Sequence, residues 1–280
     1  MNQPSPGALY LVATPIGNLG DISSRAAQTL RDVDFIAAED TRVSRKLLEY
    51  LKMKKPLVSY HEHNRHASGE DIIGRILSGE SCALITDAGT PAISDPGEEL
   101  VNLCIERGVR TLAIPGPCAA ITALAASGLS TGRFTFEGFL STARKSRFEH
   151  LNELKHEKRT MVFYEAPHKL VRTLDDMLSV FGDRRISISR ELTKIYEETL
   201  RLSLSEAAER FKQVPPRGEF VLVVEGAACK PAAPQCALQE AILAAEGYIN
   251  DGMSVKDAVK RTAEECSVPR NMLYKEIINS

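Results

Sequence analysis

Short apolar runs alternate with amphipathic helical segments along the first part of the chain, and this alternation limits the possible folds most strongly. Five apolar runs are predicted to be buried strands, at 8–14, 35–38, 57–60, 82–86 and 109–114. Helical segments are predicted between them, at 23–33, 44–51, 68–77 and from Asp95 to Glu106. Strands that alternate with helices favour a mostly parallel sheet that is covered on both faces. The sequence therefore predicts an α/β fold.

Two of these helix starts are predicted from capping residues. Ser68 and Asp71 have the spacing of a capping box, in which each side chain accepts a backbone N–H of the first turn. Asp95 followed by Pro96 fits an N-cap with proline at the first helical position. We therefore expect helices to open at these two points.

In the second half of the chain, predicted strands and helices again alternate, but with different lengths and spacings. Helices are predicted at 118–126, 145–157 and 168–181, and strands at 134–139, 160–164, 185–189 and 220–224. Ser203 and Glu206 form a further capping box ahead of the last strand. We expect a second α/β lobe that includes some antiparallel pairing.

A proline-containing stretch, Ala-Ala-Cys-Lys-Pro-Ala-Ala-Pro, follows Gly226 and is typical of a linker. Beyond it, helical segments surround a tight turn, which fits a helix-turn-helix or a helix pair that stabilises a dimer. The predicted organisation is an N-terminal lobe at 1–116, a C-terminal lobe at 117–228, a linker at 229–236 and a helical tail at 237–280.

Charge, cysteine usage and hydrophobicity argue against a strongly basic nucleic-acid binder, a disulfide-bonded secreted protein and a membrane-spanning protein. The 35 basic and 37 acidic residues give a net charge of −2, so any contact with nucleic acid must come from local basic patches. The six cysteines form no C-x-x-C pair, and neither an export signal nor a membrane-length apolar run is recognisable. We expect a protein of a reducing, cytoplasmic compartment.

Three loops rich in glycine and proline follow predicted strands, at 14–21, 86–97 and 115–120. In parallel sheets, ligands bind beyond the carboxyl ends of the strands, where such loops lie. None of the three has the G-x-G-x-x-G or P-loop pattern, which weighs against dinucleotide and ATP enzymes. We predict that the loops converge on one ligand crevice.

These loops and several other segments resemble the tetrapyrrole-methylase superfamily. The first similar segments are LVATPIGNLGD at 11–21, AAEDTR at 37–42, YHEHN at 60–64 and DAGTPAISDPG at 87–97. FEGF at 136–139, FYEAPH at 163–168, SREL at 189–192, GEF at 218–220 and the tail continue the resemblance. The similarity is greatest to the branch that methylates ribose 2′-hydroxyls of small-subunit ribosomal RNA, and it covers nearly the whole chain.

The resemblance implies a two-lobed enzyme, usually a homodimer, that binds S-adenosyl-L-methionine in the cleft between its lobes. Its implied substrate is the ribose of a cytidine in the decoding region of small-subunit (16S) ribosomal RNA, free or in the assembled subunit. Ala88-Gly89-Thr90 stands where tetrapyrrole enzymes carry Gly-Asp-Pro, and Pro15-Ile16-Gly17 where they carry Gly-Pro-Gly. Both departures weigh against a porphyrin-like substrate. A small-molecule methylase and a non-catalytic ribosome-assembly protein remain alternatives.

The resemblance also implies a set of cofactor-binding residues. They are Pro15, Ile16, Asp87, Ala88, Gly89, Ile93, Ala119, Ala120, Tyr164, Glu219 and Phe220. The small side chains at 119 and 120 permit close approach of an adenosine. Asp87 would bond the amino acid part of the cofactor or lie near the sulfonium, and the sequence leaves both open.

A neutral ribose hydroxyl is a poor nucleophile, so transfer to it benefits from a general base. Three carboxylates follow predicted strands and are candidates: Glu39, Asp40 and Glu165. Neighbouring residues of an extended segment point to opposite sides, so only one of Glu39 and Asp40 is expected to face the cleft. The alternative is that these carboxylates pair with Arg42 or Arg190 and hold loops together.

Local basic clusters are candidates for contact with RNA phosphates. The residues assigned to this role are Arg42, Arg45, Lys46, Arg144, Lys145, Arg147 and Arg190. His61 and His63 are interpreted as part of a loop that faces the substrate. The segment lacks H-E-x-x-H spacing and a partner cysteine cluster, so no metal site is predicted. Solvated helix faces are the alternative reading of each basic cluster.

Overall fold

The computed structural model describes residues 7–228, 235–266 and 268–279. The chain divides into two compact units, Met1–Ala227 and Ala228–Ser280. The larger unit contains two five-stranded sheets, and the smaller unit contains helices.

The first sheet is parallel throughout, which confirms the prediction from the alternating pattern. Its strands, in chain order, are β1 (Ala8–Val12), β2 (Phe35–Ala38), β3 (Leu57–Ser59), β4 (Cys82–Ile85) and β5 (Arg110–Ile114). They lie in the order β3-β2-β4-β1-β5. All four residues of β2 and of β4 are buried, as expected for inner strands covered by helices on both faces.

Helices cover both faces of this sheet. They are α1 (Ser24–Asp32), α2 (Thr41–Tyr50), α3 (Arg65–Leu77) and α4 (Glu98–Glu106). Successive residues of a strand point to opposite faces. Val12 accordingly packs in the core with Leu30 of α1, whereas Leu9 packs in the opposite core with Ile73 of α3.

Three helices of the larger unit begin at least two residues away from the expected start. Helix α3 starts at Arg65 rather than Ser68, because Asn64 accepts the His61 N–H at 2.8 Å and ends the preceding turn. Helix α4 starts after Gly97 rather than at Pro96. Helix α2 starts at Thr41 rather than at position 44, because the side chain of Asp40 accepts the Arg42 N–H and caps the helix.

The second sheet mixes parallel and antiparallel pairing, which confirms the expected antiparallel contribution. Its strands are β6 (Phe134–Phe139), β7 (Thr160–Glu165), β8 (Arg185–Arg190), β9 (Glu198–Ser203) and β10 (Phe220–Val224), in the order β6-β7-β10-β8-β9. Strand β10 is antiparallel to both of its neighbours. Strand β9 was not predicted, because this edge strand is only partly buried and lacks an apolar run.

Four helices accompany the second sheet: α5 (Ala119–Ala126), α6 (Arg144–Glu153), α7 (Pro167–Phe181) and α8 (Leu204–Gln213). The capping box of Ser203 and Glu206 at the start of α8 is confirmed. Helix α6 ends at Glu153 and continues as a short 3-10 turn, Leu154–His156.

The smaller unit contains α9 (Gln235–Asn250), α10 (Val255–Glu265) and α11 (Arg270–Asn279). Its core is formed by Ala241, Val259, Val268 and Leu273. Most of the predicted linker at 229–236 lies outside the described residues, and α9 includes its last two positions. Within the described residues, no helix is both long enough and apolar enough to cross a membrane.

Candidate active site

The three glycine- and proline-rich loops meet at the carboxyl edge of the first sheet, which confirms their predicted convergence. Thr14 and Gly89 exchange two backbone hydrogen bonds, of 2.8 and 3.1 Å, and so join the first loop to the second. The Thr90 hydroxyl donates to the carbonyl oxygen of Pro117 at 3.0 Å and joins the second loop to the third. The loops therefore form one connected surface.

A cavity of about 490 Å³ lies between these loops and residues of the second sheet. This volume is in the usual range for small-molecule and cofactor sites. Eight of the predicted cofactor residues line it: Ile16, Ala88, Gly89, Ile93, Ala119, Tyr164, Glu219 and Phe220. Pro15, Asp87 and Ala120 are not in its lining, although each is next to a residue that is. The cavity is a candidate cofactor site with mainly apolar walls.

The second loop has an unusual backbone. Ala92 and Ser94 have φ angles of 67° and 61°, a region that L-residues with side chains rarely adopt. Each such residue costs on the order of 1–3 kcal/mol, and such residues cluster at functional sites. Gly97 ends the loop with φ of 145°, and a Cβ atom there would lie 2.8 Å from Leu84 Cδ2.

We expect Gly97→Ala to lower the free energy of unfolding by about 3 kcal/mol, because it adds overpacking to backbone strain. Gly108→Ala is a matched control, since Gly108 also has positive φ but has no atom within 4 Å of the added Cβ. We expect the control to lose only about 1 kcal/mol. Urea denaturation followed by circular dichroism measures both, and equal losses would show that the contact with Leu84 is unimportant.

A loop after β8 lies on the opposite side of the cavity. Lys194 Nζ lies 2.9 Å from both Glu191 Oε1 and Glu219 Oε2. Burial disfavours the ammonium charge, yet hydrogen bonds to the two carboxylates hold the pKa of Lys194 above its ordinary value. The Asn18 N–H donates to Thr193 Oγ1 at 3.1 Å, so this loop also contacts the first glycine-rich loop. These contacts connect the two sides of the cavity.

Tyr164 of β7 forms an aromatic wall of the cavity. Its hydroxyl accepts a hydrogen bond from the Ala120 N–H at 3.2 Å, and its ring packs 5.1 Å from Phe136 and 5.5 Å from Phe139. Burial raises the pKa of Tyr164 to about 12. The phenol is therefore neutral at physiological pH and fixes the start of α5 against the second sheet.

Glu39 and Asp40 differ sharply in their surroundings. Asp40 pairs with Arg42 at 2.6 Å, and these hydrogen bonds lower the pKa of its carboxyl to about 2. The pairing proposed as the alternative to catalysis is therefore present for Asp40. Burial, followed by the neighbouring charge of Asp87, raises the pKa of Glu39. Asp87 Oδ1 accepts the Asp40 N–H at 3.1 Å, and burial raises the pKa of Asp87 as well.

Glu165 lines the cavity but is buried, and its carboxylate is already engaged. One oxygen accepts the Ala166 N–H at 2.8 Å, and the other accepts the Thr173 hydroxyl. These contacts hold the end of β7 against α7. They leave Glu165 poorly placed to take a proton from a substrate.

The predicted phosphate-binding residues fall into distinct groups. Arg45, Lys46, Arg144 and Lys145 are exposed, and Arg42 is exposed but paired with Asp40. Arg190 is half-buried and lies 3.5 Å from Glu198. The structure argues against Arg147 as a phosphate ligand, because it is only 3% exposed and bonds Asp176 at 2.7 Å.

His61 and His63 lie next to each other, with ring centroids 6.0 Å apart. The Nδ1 atom of His61 is buried and has no hydrogen-bond partner within the described part of the chain. Across the same residues, no group of three or more His, Cys, Asp or Glu side chains is arranged to hold a metal ion.

Asp95 is the main site residue that the sequence did not indicate. It lines the cavity, whereas the sequence pattern assigned it to a helix cap. Burial, with smaller contributions from the charges of Glu39 and Asp87, raises the pKa of Asp95 to about 7. The only sequence feature that could have identified Asp95 as a site residue was its position in a glycine- and proline-rich loop that follows a predicted strand. Leu192, also in the lining, belongs to a segment noted for its resemblance but not assigned to the site.

Most of the larger unit matches the model of one known protein family. Residues 8–208 match the model of the tetrapyrrole (corrin/porphyrin) methylases. The chain belongs to this family, which confirms the resemblance seen in the sequence motifs.

Several proteins are similar to this chain over nearly its full length, and they share one name. The chain is 48% identical to the ribosomal RNA small subunit methyltransferase I of Halalkalibacterium halodurans, with 96% of this chain and 93% of the relative covered. It is 45% identical to the protein of that name from Bacillus subtilis, over 96% and 93% of the two chains. The protein of that name from Escherichia coli O157:H7 is 43% identical, over 97% and 94%.

Solved structures show the same fold at low sequence identity. A cobalt precorrin-4 methyltransferase superposes with a TM-score of 0.60 at 17% identity, over 78% of this chain and 95% of that chain. A uroporphyrin-III C-methyltransferase from Thermus thermophilus, complexed with S-adenosyl homocysteine, gives a TM-score of 0.56 at 17% identity. That match covers 78% of this chain and 97% of the other.

Proposed function

We propose that the protein transfers the methyl group of S-adenosyl-L-methionine to the ribose 2′-hydroxyl of a cytidine in the decoding region of small-subunit ribosomal RNA. The observation that carries this proposal is the full-length similarity, at 42–48% identity, to proteins named ribosomal RNA small subunit methyltransferase I. The departures from the tetrapyrrole-enzyme motifs at Pro15-Ile16-Gly17 and Ala88-Gly89-Thr90 support the same branch.

The residues of the cavity fit a nucleoside cofactor. Ala88, Gly89 and Ala119 leave room for a flat adenosyl group, and Ile16 and Phe220 add apolar surface. Gly89 has φ of 88°, a backbone conformation that residues with side chains rarely adopt, so glycine is favoured at this point of the cavity wall. We infer that these residues hold the adenosyl part of the cofactor.

When bound, the cofactor supplies an already activated methyl group. The protein must therefore align the acceptor oxygen and receive its proton. Of the three carboxylates predicted from the sequence, Asp40 is held ionised by Arg42 and Glu165 is buried with both oxygens bonded. Glu39 remains the least constrained of these three.

We further propose that the substrate reaches the cavity along the exposed basic side of α2, where Arg45 and Lys46 lie. We also propose a cytoplasmic homodimer with two α/β lobes divided near residue 116, a short linker and a helical tail. The family resemblance supports the dimer, and analytical ultracentrifugation tests it.

Labelled methyl transfer to small ribosomal subunits from cells that lack this protein tests the function. We expect label at one nucleotide, in a linkage that resists alkali because the 2′-hydroxyl is blocked. Label on a base would contradict the proposed acceptor. If the cofactor binds but no RNA is labelled, a small-molecule acceptor or a non-catalytic role in ribosome assembly would replace the proposal.

A further inference from the structure

A bulge interrupts β6 next to the candidate cofactor cavity. The pairing of β6 with β7 shifts register between Phe136 and Gly138, so Glu137 is an additional residue without a partner on β7. Gly138 has φ of 63°, a conformation that glycine supplies in one common kind of bulge. Bulges occur beside active sites, where they change the direction of a side chain.

The bulge places two phenylalanines on one face of the second sheet. Phe136 and Phe139 are three residues apart and would point to opposite faces of a regular strand. The bulge leaves Phe136 opposite Val162 of β7. It brings Phe139 opposite Tyr164, which points to the same face as Val162. The rings of Phe136 and Phe139 therefore both pack against the ring of Tyr164, at 5.1 and 5.5 Å.

Phe139 is exposed although it lines the cavity. It is 54% exposed, whereas Phe220 in the same lining is buried and Tyr164 is half-buried. A Cβ atom at Gly138 would lie 3.3 Å from Ser94 Oγ, so the bulge also approaches the second glycine-rich loop closely. These contacts hold an aromatic ring at the opening of the cavity, with one side of the ring uncovered.

One basic residue belongs to the same lining. His168, in the first turn of α7, is the only lysine, arginine or histidine among the lining residues. It is exposed and makes no hydrogen bond or ion pair with the part of the chain that the structure describes. The lining therefore offers an aromatic surface for a base and an imidazole that can bond a phosphate or a hydroxyl group.

We propose that Phe139 is the stacking surface for the base of the acceptor nucleotide, at the opening of the cofactor cavity. This inference rests on the proposed function. Proteins that recognise single-stranded RNA stack splayed-out bases on aromatic side chains. The base is bonded to the ribose carbon next to the one that bears the 2′-hydroxyl, so a fixed base restricts the position of the acceptor oxygen. Such alignment supplies much of the rate when the methyl group is already activated.

The exposure of Phe139 favours the acceptor base over the adenine of the cofactor as its partner. Gly89 and Phe220, which we assign to the adenosyl group, are buried in the enclosed part of the cavity wall. A cofactor held by these residues leaves the open side of Phe139 uncovered. A second ligand that enters the occupied cavity contacts this side of the ring.

Phe139→Ala tests the stacking, in the full chain with small ribosomal subunits as acceptor. We expect kcat/KM for the subunit to fall by about tenfold or more, the range that alanine substitution of a stacking residue gives. Phe139→Trp should retain activity, and Phe139→Leu should be intermediate because it keeps apolar area without a π face. If Phe139→Leu is as active as the wild type, the ring only fills space and the inference is wrong.

Phe134→Ala is the matched control. Phe134 lies on the same strand and is 38% exposed, but it is not part of the cavity lining. Its replacement should leave kcat/KM for the subunit unchanged. The dissociation constant for S-adenosylhomocysteine, measured by calorimetry, should change by less than about threefold in both alanine variants, because stacking of the acceptor base does not hold the cofactor.

Fluorescence gives a readout that does not depend on turnover. The sequence contains no tryptophan, so Phe139→Trp introduces a unique reporter. Incorporated as 5-hydroxytryptophan, it is excited separately from the tryptophans of ribosomal proteins. Its fluorescence should be quenched by small subunits in the presence of S-adenosylhomocysteine, and nearly unchanged by S-adenosylhomocysteine alone. Quenching by S-adenosylhomocysteine alone, or none with bound subunits, would overturn the inference.

The outcomes distinguish this inference from the proposed function. If the wild type labels no RNA, the proposed function fails and the role of Phe139 fails with it. If the wild type labels RNA and Phe139→Ala does so equally well, only the role of Phe139 fails. Ultracentrifugation tests the remaining alternative: if Phe139→Ala is a monomer where the wild type is a dimer, the ring contacts a second copy of the chain instead of RNA.

Discussion

Replacement of Arg147 by Met is expected to lower the free energy of unfolding by about 3–5 kcal/mol, the usual cost of breaking a buried ion pair. The Arg147 guanidinium lies 2.7 Å from Asp176 and donates to the carbonyl oxygens of Ser141 and Thr142 at 3.0 and 3.1 Å. Removing it leaves a largely buried carboxylate and two carbonyl groups without these donors. Urea denaturation at pH 7 measures the loss.

Arg144→Met provides the control, because Arg144 is exposed on the first turn of the same helix and forms no ion pair within the described residues. We expect it to change the free energy of unfolding by less than about 0.5 kcal/mol. Combining Arg147→Met with Asp176→Leu should recover part of the stability, since no unpaired charge then remains. If Arg147→Met instead retains stability and loses RNA affinity, the sequence-based assignment to phosphate binding was correct.

The double variant Arg45→Glu/Lys46→Glu reverses both free cations on α2. We expect it to lower kcat/KM for the ribosomal subunit by about tenfold or more at moderate salt, because phosphate contacts are lost. Both side chains are exposed and have no carboxylate partner within the described residues, whereas Arg42 is paired with Asp40. Each lost phosphate contact should reduce the slope of log affinity against log salt concentration by about one. Affinity for S-adenosylhomocysteine should stay unchanged.

Arg31→Glu is the control for net charge and is compared with the single variant Arg45→Glu, because each of these two variants reverses one charge whereas the double variant reverses two. Helix α1 leaves the carboxyl edge of the first sheet and runs back, so Arg31 near its end lies at the opposite edge. Its reversal should leave kcat/KM for the subunit nearly unchanged. An equal loss in the control would mean that the total charge, rather than a contact along α2, controls the encounter.

The architecture of the larger unit was largely predictable from local sequence. Inner parallel strands such as β2 and β4 must be apolar on both faces, so they appear as continuous hydrophobic runs. Strand β9 was missed because an edge strand does not need such a run. The predicted helix starts at Ser68 and Pro96 were wrong because local capping patterns do not reveal contacts such as the Asn64 side chain makes with the preceding turn.

The convergence of the three loops was also predictable, because parallel topology brings the carboxyl ends of strands to one edge. Their residue types indicated a close approach between ligand and backbone. The protonation and partners of individual side chains were not predictable, since these depend on groups far apart in the chain. Asp95 acquires its raised pKa from burial and from Glu39 and Asp87, and Arg147 acquires its partner from another helix.

The sequence by itself thus determined the order of the helices and of every strand except β9, the edge of the first sheet where the three loops converge, and the family. Only the tertiary structure decided which charges are free. It paired Asp40 with Arg42 and Arg147 with Asp176, and it bonded both oxygens of Glu165. Among the described residues it gave Asp95 no ion-pair partner. The physical reason is the separation along the chain of the residues that determine each property. Strand and helix patterns reflect neighbours in the chain, whereas the charge state of a side chain depends on desolvation and on charges that folding brings close.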